Sequence, residues 1–99
     1  MKVAEYRRTV NSASGAYNEE TFSNVGGLLR YLLVRAATSG TSFQTTLTDH
    51  KNVVRKRYGF VTGELLDESM AIPVTGEYTI GIVNGSQDDT FTIVFGVQE

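Results

Sequence analysis

The chain has 99 residues, of which 40% are hydrophobic and ten are aromatic, so it is one globular domain rather than a disordered segment. It has no cysteine, which excludes a disulfide scaffold and thiolate metal sites. The net charge of −2 argues against the basic class that grips nucleic acid. Its layout is uneven: all nine basic residues lie between Lys2 and Arg57, and residues 59–99 carry seven acids and no base. Residues 1–58 therefore sum to +5 and residues 59–99 to −7. Such asymmetry steers docking of unlike surfaces, unless strands from both halves interleave and the charges average out.

Residues 2–10 predict a first strand of mixed polarity near a sheet edge, followed by a turn over Asn11, Ser12, Ala13, Ser14 and Gly15. The start, Met1 to Arg8, lacks the apolar stretch of a secretory signal, so assembly in the cytoplasm is expected. Residues 18–24 are polar. They read as a short helical turn opened by Asn18, with Glu19 and Glu20 behind it, or as a loop. Residues 1–24 thus form an N-terminal arm or edge strand, and 25–99 a β-sandwich domain.

Residues 28–36 fit a strand better than a helix. Gly26-Gly27 on one side and Thr38-Ser39-Gly40 on the other leave only about ten residues between them. Arg30 and Arg35 are five apart, and a bulge between them would bring both to one face. This stretch is well short of the roughly 20 apolar residues that cross a bilayer, so no membrane partner is expected. Phe43, Thr45 and Leu47 then alternate with Gln44, Thr46 and Thr48, a half-buried strand. Asp49 to Asn52 is a turn.

Residues 53–61 predict the next strand. Val54, Tyr58 and Phe60 share one parity, Arg55 and Arg57 the other, and Lys56 breaks the pattern at an edge or bulge. Residues 63–72 read as a crossover loop with a helical turn near 65–68. Pro73 follows, where a missing amide does least harm. Tyr78, Ile80 and Ile82 alternate with smaller residues, Asn84-Gly85 marks a turn, and Phe91, Ile93, Phe95 and Val97 alternate again. This pattern predicts an antiparallel hairpin with one buried face. Six to seven short strands make the chain all-β, an antiparallel sandwich or jelly-roll-like barrel.

Few residues carry a chemical signal. His50 is the one histidine, and beside Asp49 it reads as turn chemistry rather than a proton shuttle. Asn84, Ser86, Asp88 and Asp89 cluster oxygens, but not at calcium-loop spacing, so they read as a polar loop. Lys51, Arg55, Lys56 and Arg57 form the densest basic run, suited to an acidic protein surface or to solvent. No Gly-x-Ser-x-Gly or Ser-x-x-Lys motif occurs, and Gly26-Gly27 stands apart from any phosphate loop. No catalytic, cofactor or metal residue is expected, and no enzyme.

The run TSFQTTLTD, followed by GFVTGELLDESMAIPVTGEYTIGIVNGSQDDTFTIVFGVQE, resembles small structural proteins of tailed bacteriophages. The resemblance covers about residues 27–99. It rests on Phe43, Leu47, Thr48, Asp49, Gly63, Leu65, Pro73, Gly76, Tyr78, Ile82, Asn84, Asp89, Phe91 and Glu99, which are core and turn positions. It implies a non-enzymatic virion protein. The first expectation is a capsid decoration (cement) protein that docks between copies of the major capsid protein. Self-association, with a trimer as one arrangement, would multiply a modest contact energy. Its surfaces would be Tyr6, Arg7, Arg8, Tyr17 and Phe22 on the arm, and Arg55 and Arg57 on the basic strand. A head–tail connector or tail component is the second expectation. A carbohydrate- or cell-surface-binding β-sandwich module is the third. That module requires an exposed aromatic platform, and the chain has no tryptophan to supply one.

Overall fold

A computed structural model describes residues 2–99, with residue 24 described by its backbone alone. Eight strands follow one another: β1 (Val3–Ser12), β2 (Tyr17–Ala36), β3 (Ser42–Thr48), β4 (Val54–Arg57), β5 (Val61–Thr62), β6 (Glu64–Asp67), β7 (Ile72–Asn84) and β8 (Asp89–Gln98). Every pairing is antiparallel. The fold is an all-β sandwich, as the alternation predicts.

The two layers share one strand. The first part of β2 pairs with β7, which pairs with β3, which carries β4 and β5 on its far side. The last part of β2 pairs with β8 on one side and β6 on the other, and β8 pairs with the edge strand β1. The passage between layers is encoded locally. The β2–β7 register slips between Phe22 and Val25. Gly27 then sits at φ +132°, where any Cβ would drive into the Gln98 carbonyl oxygen. Only glycine allows that backbone to lie against β8.

The core lies between the layers. Phe91, Ile93, Phe95 and Val97 of β8 are buried, as are Tyr78, Ile80 and Ile82 of β7 and Phe43 and Leu47 of β3. Contacts across the sandwich are aromatic: Phe43 meets Phe91 at 5.0 Å, and Phe22 meets Phe95 at 4.5 Å, both edge to face. Each such side chain contributes roughly 1.5–3 kcal/mol on burial. Two polar clamps close the sides. On one, Arg8 of β1 lies over the Phe22 ring at 4.6 Å and reaches Glu20 at 3.5 Å. On the other, Asp67 of β6 accepts hydrogen bonds from Lys56 Nζ at 2.8 Å and from the Tyr58 hydroxyl at 2.7 Å.

Several sequence expectations hold. Residues 28–36 are strand, and they do contain a bulge, although the β2–β8 register slips between Leu29 and Tyr31, at Arg30 itself, and not between Arg30 and Arg35. β1 lies at a sheet edge.

Others need correction. The final two strands are not a hairpin: β7 bonds to β2 and β3, β8 to β1 and β2. Their connection is an arch from one layer to the other. Period-two alternation reports which face is buried but not which strand lies alongside. Asn84 drives the arch. Its buried side chain donates to the Ser12 carbonyl at 3.3 Å and the Gln87 carbonyl at 2.6 Å, and accepts from the Ser86 amide at 3.2 Å.

Residues 18–24 are neither helix nor loop but part of β2. The boundary expected between residues 24 and 25 therefore falls inside that strand. Residues 64–67 form β6 rather than a helical turn. The strand expected over 53–61 is interrupted at Tyr58, Gly59 and Phe60. Pro73 lies within β7, opposite Leu28, beyond the stretch of β7 that pairs with β3.

Candidate ligand-binding face

Strand alternation gives the β2–β7–β3–β4 layer an outer face as well as a core face. Pairing aligns its outer residues in three rows. Tyr17, Val83 and Gln44 form the first; Glu19, Gly81, Thr46 and Arg57 the second; Thr21, Thr79, Thr48 and Val54 the third. The β3–β4 register slips at Arg55, which brings both Val54 and Arg57 to this face. Together the rows line a cleft of about 740 Å³, within the usual range for small-ligand sites.

Gly81 makes room for Tyr17. The Tyr17 ring lies over it, with the phenol oxygen where a side chain would stand. Tyr17 is 55% exposed, so the ring is a floor open to solvent. Its hydroxyl donates to Glu19 Oε2 at 3.1 Å. Loss of solvent, and next that carboxylate, push the phenol above its ordinary value, so it stays a donor at neutral pH. Thr21 and Thr79 share a hydrogen bond at 3.1 Å. The cleft thus offers one aromatic ring, four threonine hydroxyls, the two primary amides of Gln44 and Asn52, the carboxylate of Glu77, and opposite charges at the ends of one row.

The residues expected to form a binding arm are divided by the fold. Tyr17 and Arg57 meet on this cleft. Phe22 is 2% exposed and is part of the protein's own core, so it cannot anchor to another chain. Tyr6 packs against that core, stacked on Phe95 at 4.9 Å. Arg8 is held by Phe22 and Glu20. Arg55 pairs with Asp49 at 3.4 Å. Arg7 stands exposed on the outer face of the other layer, opposite Val94.

The remaining candidates serve turns. Asp49 accepts the amides of Lys51 at 2.9 Å and Val53 at 3.0 Å, and these bonds hold its carboxyl below the ordinary range. Asp89 accepts the amides of Thr38 and Thr90 and the Thr41 hydroxyl, the largest influence lowering its pKa. Asp88 accepts the Ser14 amide at 2.7 Å. Among the described residues no cluster of three or more metal-ligating side chains occurs. Of the cleft residues, Tyr17 and Arg57 are candidates from sequence, whereas Gly81, Thr46 and Thr79 carry no site signal of their own. The threonine-rich run of β3 is the available signal, and threonine's strand propensity masks it.

No family model matches the chain, and no curated protein matches its sequence. Solved structures do resemble it in fold. The C-terminal CBM6 module of LamC, a marine laminarinase of Zobellia galactanivorans, superposes with a TM-score of 0.55 at 11% identity, covering 98% of this chain and 100% of that one. TmCBM61, solved with β-1,4-galactotriose, gives 0.52 at 16% identity over 99% and 88%. PliG of Aeromonas hydrophila, a periplasmic inhibitor of g-type lysozyme, gives 0.54 at 12% identity over 97% and 86%. At these identities the likeness establishes the β-sandwich fold alone.

Proposed function

We propose that this protein is a non-enzymatic binding module that takes carbohydrate on the outer face of the β2–β7–β3–β4 layer. One observation carries the reading: Tyr17 lies over Gly81, more than half exposed, inside a cleft walled by hydroxyl, amide and charged groups. A pyranose presents an apolar C–H face and a rim of hydroxyls. The ring matches the first. Thr46, Thr48, Gln44, Glu19 and Arg57 match the second as paired donors and acceptors. The fold shared with two carbohydrate-binding modules supports the same class.

The test is binding of the intact protein to an array of neutral and acidic oligosaccharides, with β-1,3-glucan and β-1,4-galactan included. Wild type should bind a defined subset, and Tyr17→Ala should weaken it by about tenfold or more. Binding that is indifferent to Tyr17→Ala, or no binding across the array, contradicts the proposal.

A second reading, a virion structural protein docked on the major capsid protein, is favoured by the opposite face. There Leu66, 55% exposed, stands beside the half-buried Leu33 across β6 and β2, with Val94 buried beneath them on β8. Such an apolar row suits a protein partner. The copy number of the chain in purified particles, relative to capsid and portal proteins, decides this reading.

A further inference from the structure

We propose that β1 is a dimerisation edge, which joins a second copy of this chain antiparallel to itself with Tyr6 on the two-fold axis. The edge is open and regular. β1 pairs with β8 over all ten residues with no register slip, and it contains neither proline nor glycine. The far edge of the fold differs: β4, β5 and β6 are two to four residues each, and β4 is bulged. Short and bulged strands resist edge pairing, and long plain ones invite it.

The hydrogen-bond pattern fixes which groups are free. The Lys2 carbonyl accepts the Glu99 amide at 3.0 Å, which makes that a bonded pair. Antiparallel alternation then turns the N–H and C=O of Ala4, Tyr6, Arg8 and Val10 toward β8. Those of Val3, Glu5, Arg7 and Thr9 point out of the edge. A second β1 can bond only by setting outward residues against outward residues, so the allowed registers differ in steps of two.

Charge selects among them. With the axis at Tyr6, Glu5 stands opposite Arg7 of the second copy, and Arg7 opposite its Glu5. Both side chains are more than half exposed and lie on the same face of the sheet. Moving the axis to Glu5 sets glutamate against glutamate, and moving it to Arg7 sets arginine against arginine. Directly opposed like charges are destabilising and unlike ones favourable. The chosen register also places Arg8 opposite Ala4, the smallest side chain of the strand, and Val3 opposite Thr9. The result is a self-complementary, isologous contact that extends the β6–β2–β8–β1 layer across two protomers. It puts two copies of the cleft on one particle, where avidity strengthens weak binding.

The experiment is sedimentation velocity of the intact protein from micromolar to about millimolar concentration, on wild type, Glu5→Arg, Arg7→Glu and the double reversal. Wild type should be a reversible dimer. Each single reversal should raise the dissociation constant by about tenfold or more, and the double reversal should restore it, because the charges then exchange places. Thr9→Pro removes an amide that faces the edge and leaves the β8 ladder intact, so it should give a folded monomer. A wild-type monomer throughout the range, or a dimer unmoved by the single reversals or not rescued by the double, overturns the proposal.

Discussion

Each outer face of this sandwich has a glycine with a tyrosine lying over it, and the two pairs have opposite outcomes. On the β1–β8–β2–β6 layer, Tyr31 is directly opposite Gly96, and its ring fills the space a side chain would take. Its hydroxyl donates to Glu5 Oε2 at 2.7 Å, the main reason its pKa is raised. Val94 beside it is 5% exposed, so this stretch of β8 is buried on both faces. On the β2–β7–β3–β4 layer, Tyr17 is opposite Val83 and leans diagonally over Gly81, with more than half of its surface open. Apart from Val83 and Val54, the cleft around it is lined by threonines, Gln44, Asn52, Glu19, Glu77 and Arg57. The same local device covers β8 on one face and floors a cleft on the other. What surrounds the ring decides between structure and recognition.

The largest expected effect breaks the joint that holds the two faces together. Gly27→Ala should cost about 2–4 kcal/mol in denaturant unfolding, since β2 can reach both layers only through that positive-φ residue against Gln98. Next, the comparison itself separates by readout. Tyr31→Ala should cost about 2 kcal/mol by uncovering Gly96 and Val94. Tyr17→Ala should change stability by no more than about 0.5 kcal/mol while it removes ligand binding. Equal stability losses for the two would erase the distinction.

A pH effect sharpens the account of the clamp at the far side. The hydrogen bond from Lys56, with those from Ser69 and Tyr58, lowers Asp67 to about 2 from an unfolded value of 3.8. A depressed carboxyl stabilises above its unfolded value and loses that contribution as pH falls toward its folded value. Wild type should therefore lose stability from about pH 4 down to about pH 2, and Asp67→Asn should lose less over that window. Burial, and then Asp67, push the Tyr58 phenol up, so that donor persists through neutral and mildly alkaline pH. The smallest effect is one of sign. The Tyr78 hydroxyl is buried with no hydrogen-bond partner. Tyr78→Phe should leave stability unchanged or raise it by about 1 kcal/mol, because nothing is lost but an unsatisfied group.

Much of the fold was legible because its signal is local. Alternation in β3, β7 and β8 gave the buried face, and two arginines five apart pointed to a bulge, which falls at Arg30 itself and not between them. Partnership was not legible, because burial patterns do not name a neighbour. The Asn84–Gly85 turn suggested a hairpin, where the side-chain bonds of Asn84 make an arch. Polar residues 18–24 gave no strand signal, because one side of the early part of β2 faces the cleft and needs polar groups there. The cleft itself could not be read from sequence. Its floor comes from Tyr17 and Gly81, which are 64 positions apart in numbering and meet only through the β2–β7 register. Gly26-Gly27 was visible as an oddity, but its purpose depends on where β8 lies.

An amide chemical-shift titration of the isotope-labelled protein with the oligosaccharides that bind on the array distinguishes the two faces residue by residue. Carbohydrate bound in the cleft should give saturable shifts at Tyr17, Glu19, Thr46, Thr79 and Gly81, with Leu33, Leu66 and Val94 unmoved. Shifts confined to those three residues and their neighbours, or no shifts at millimolar sugar, would contradict it.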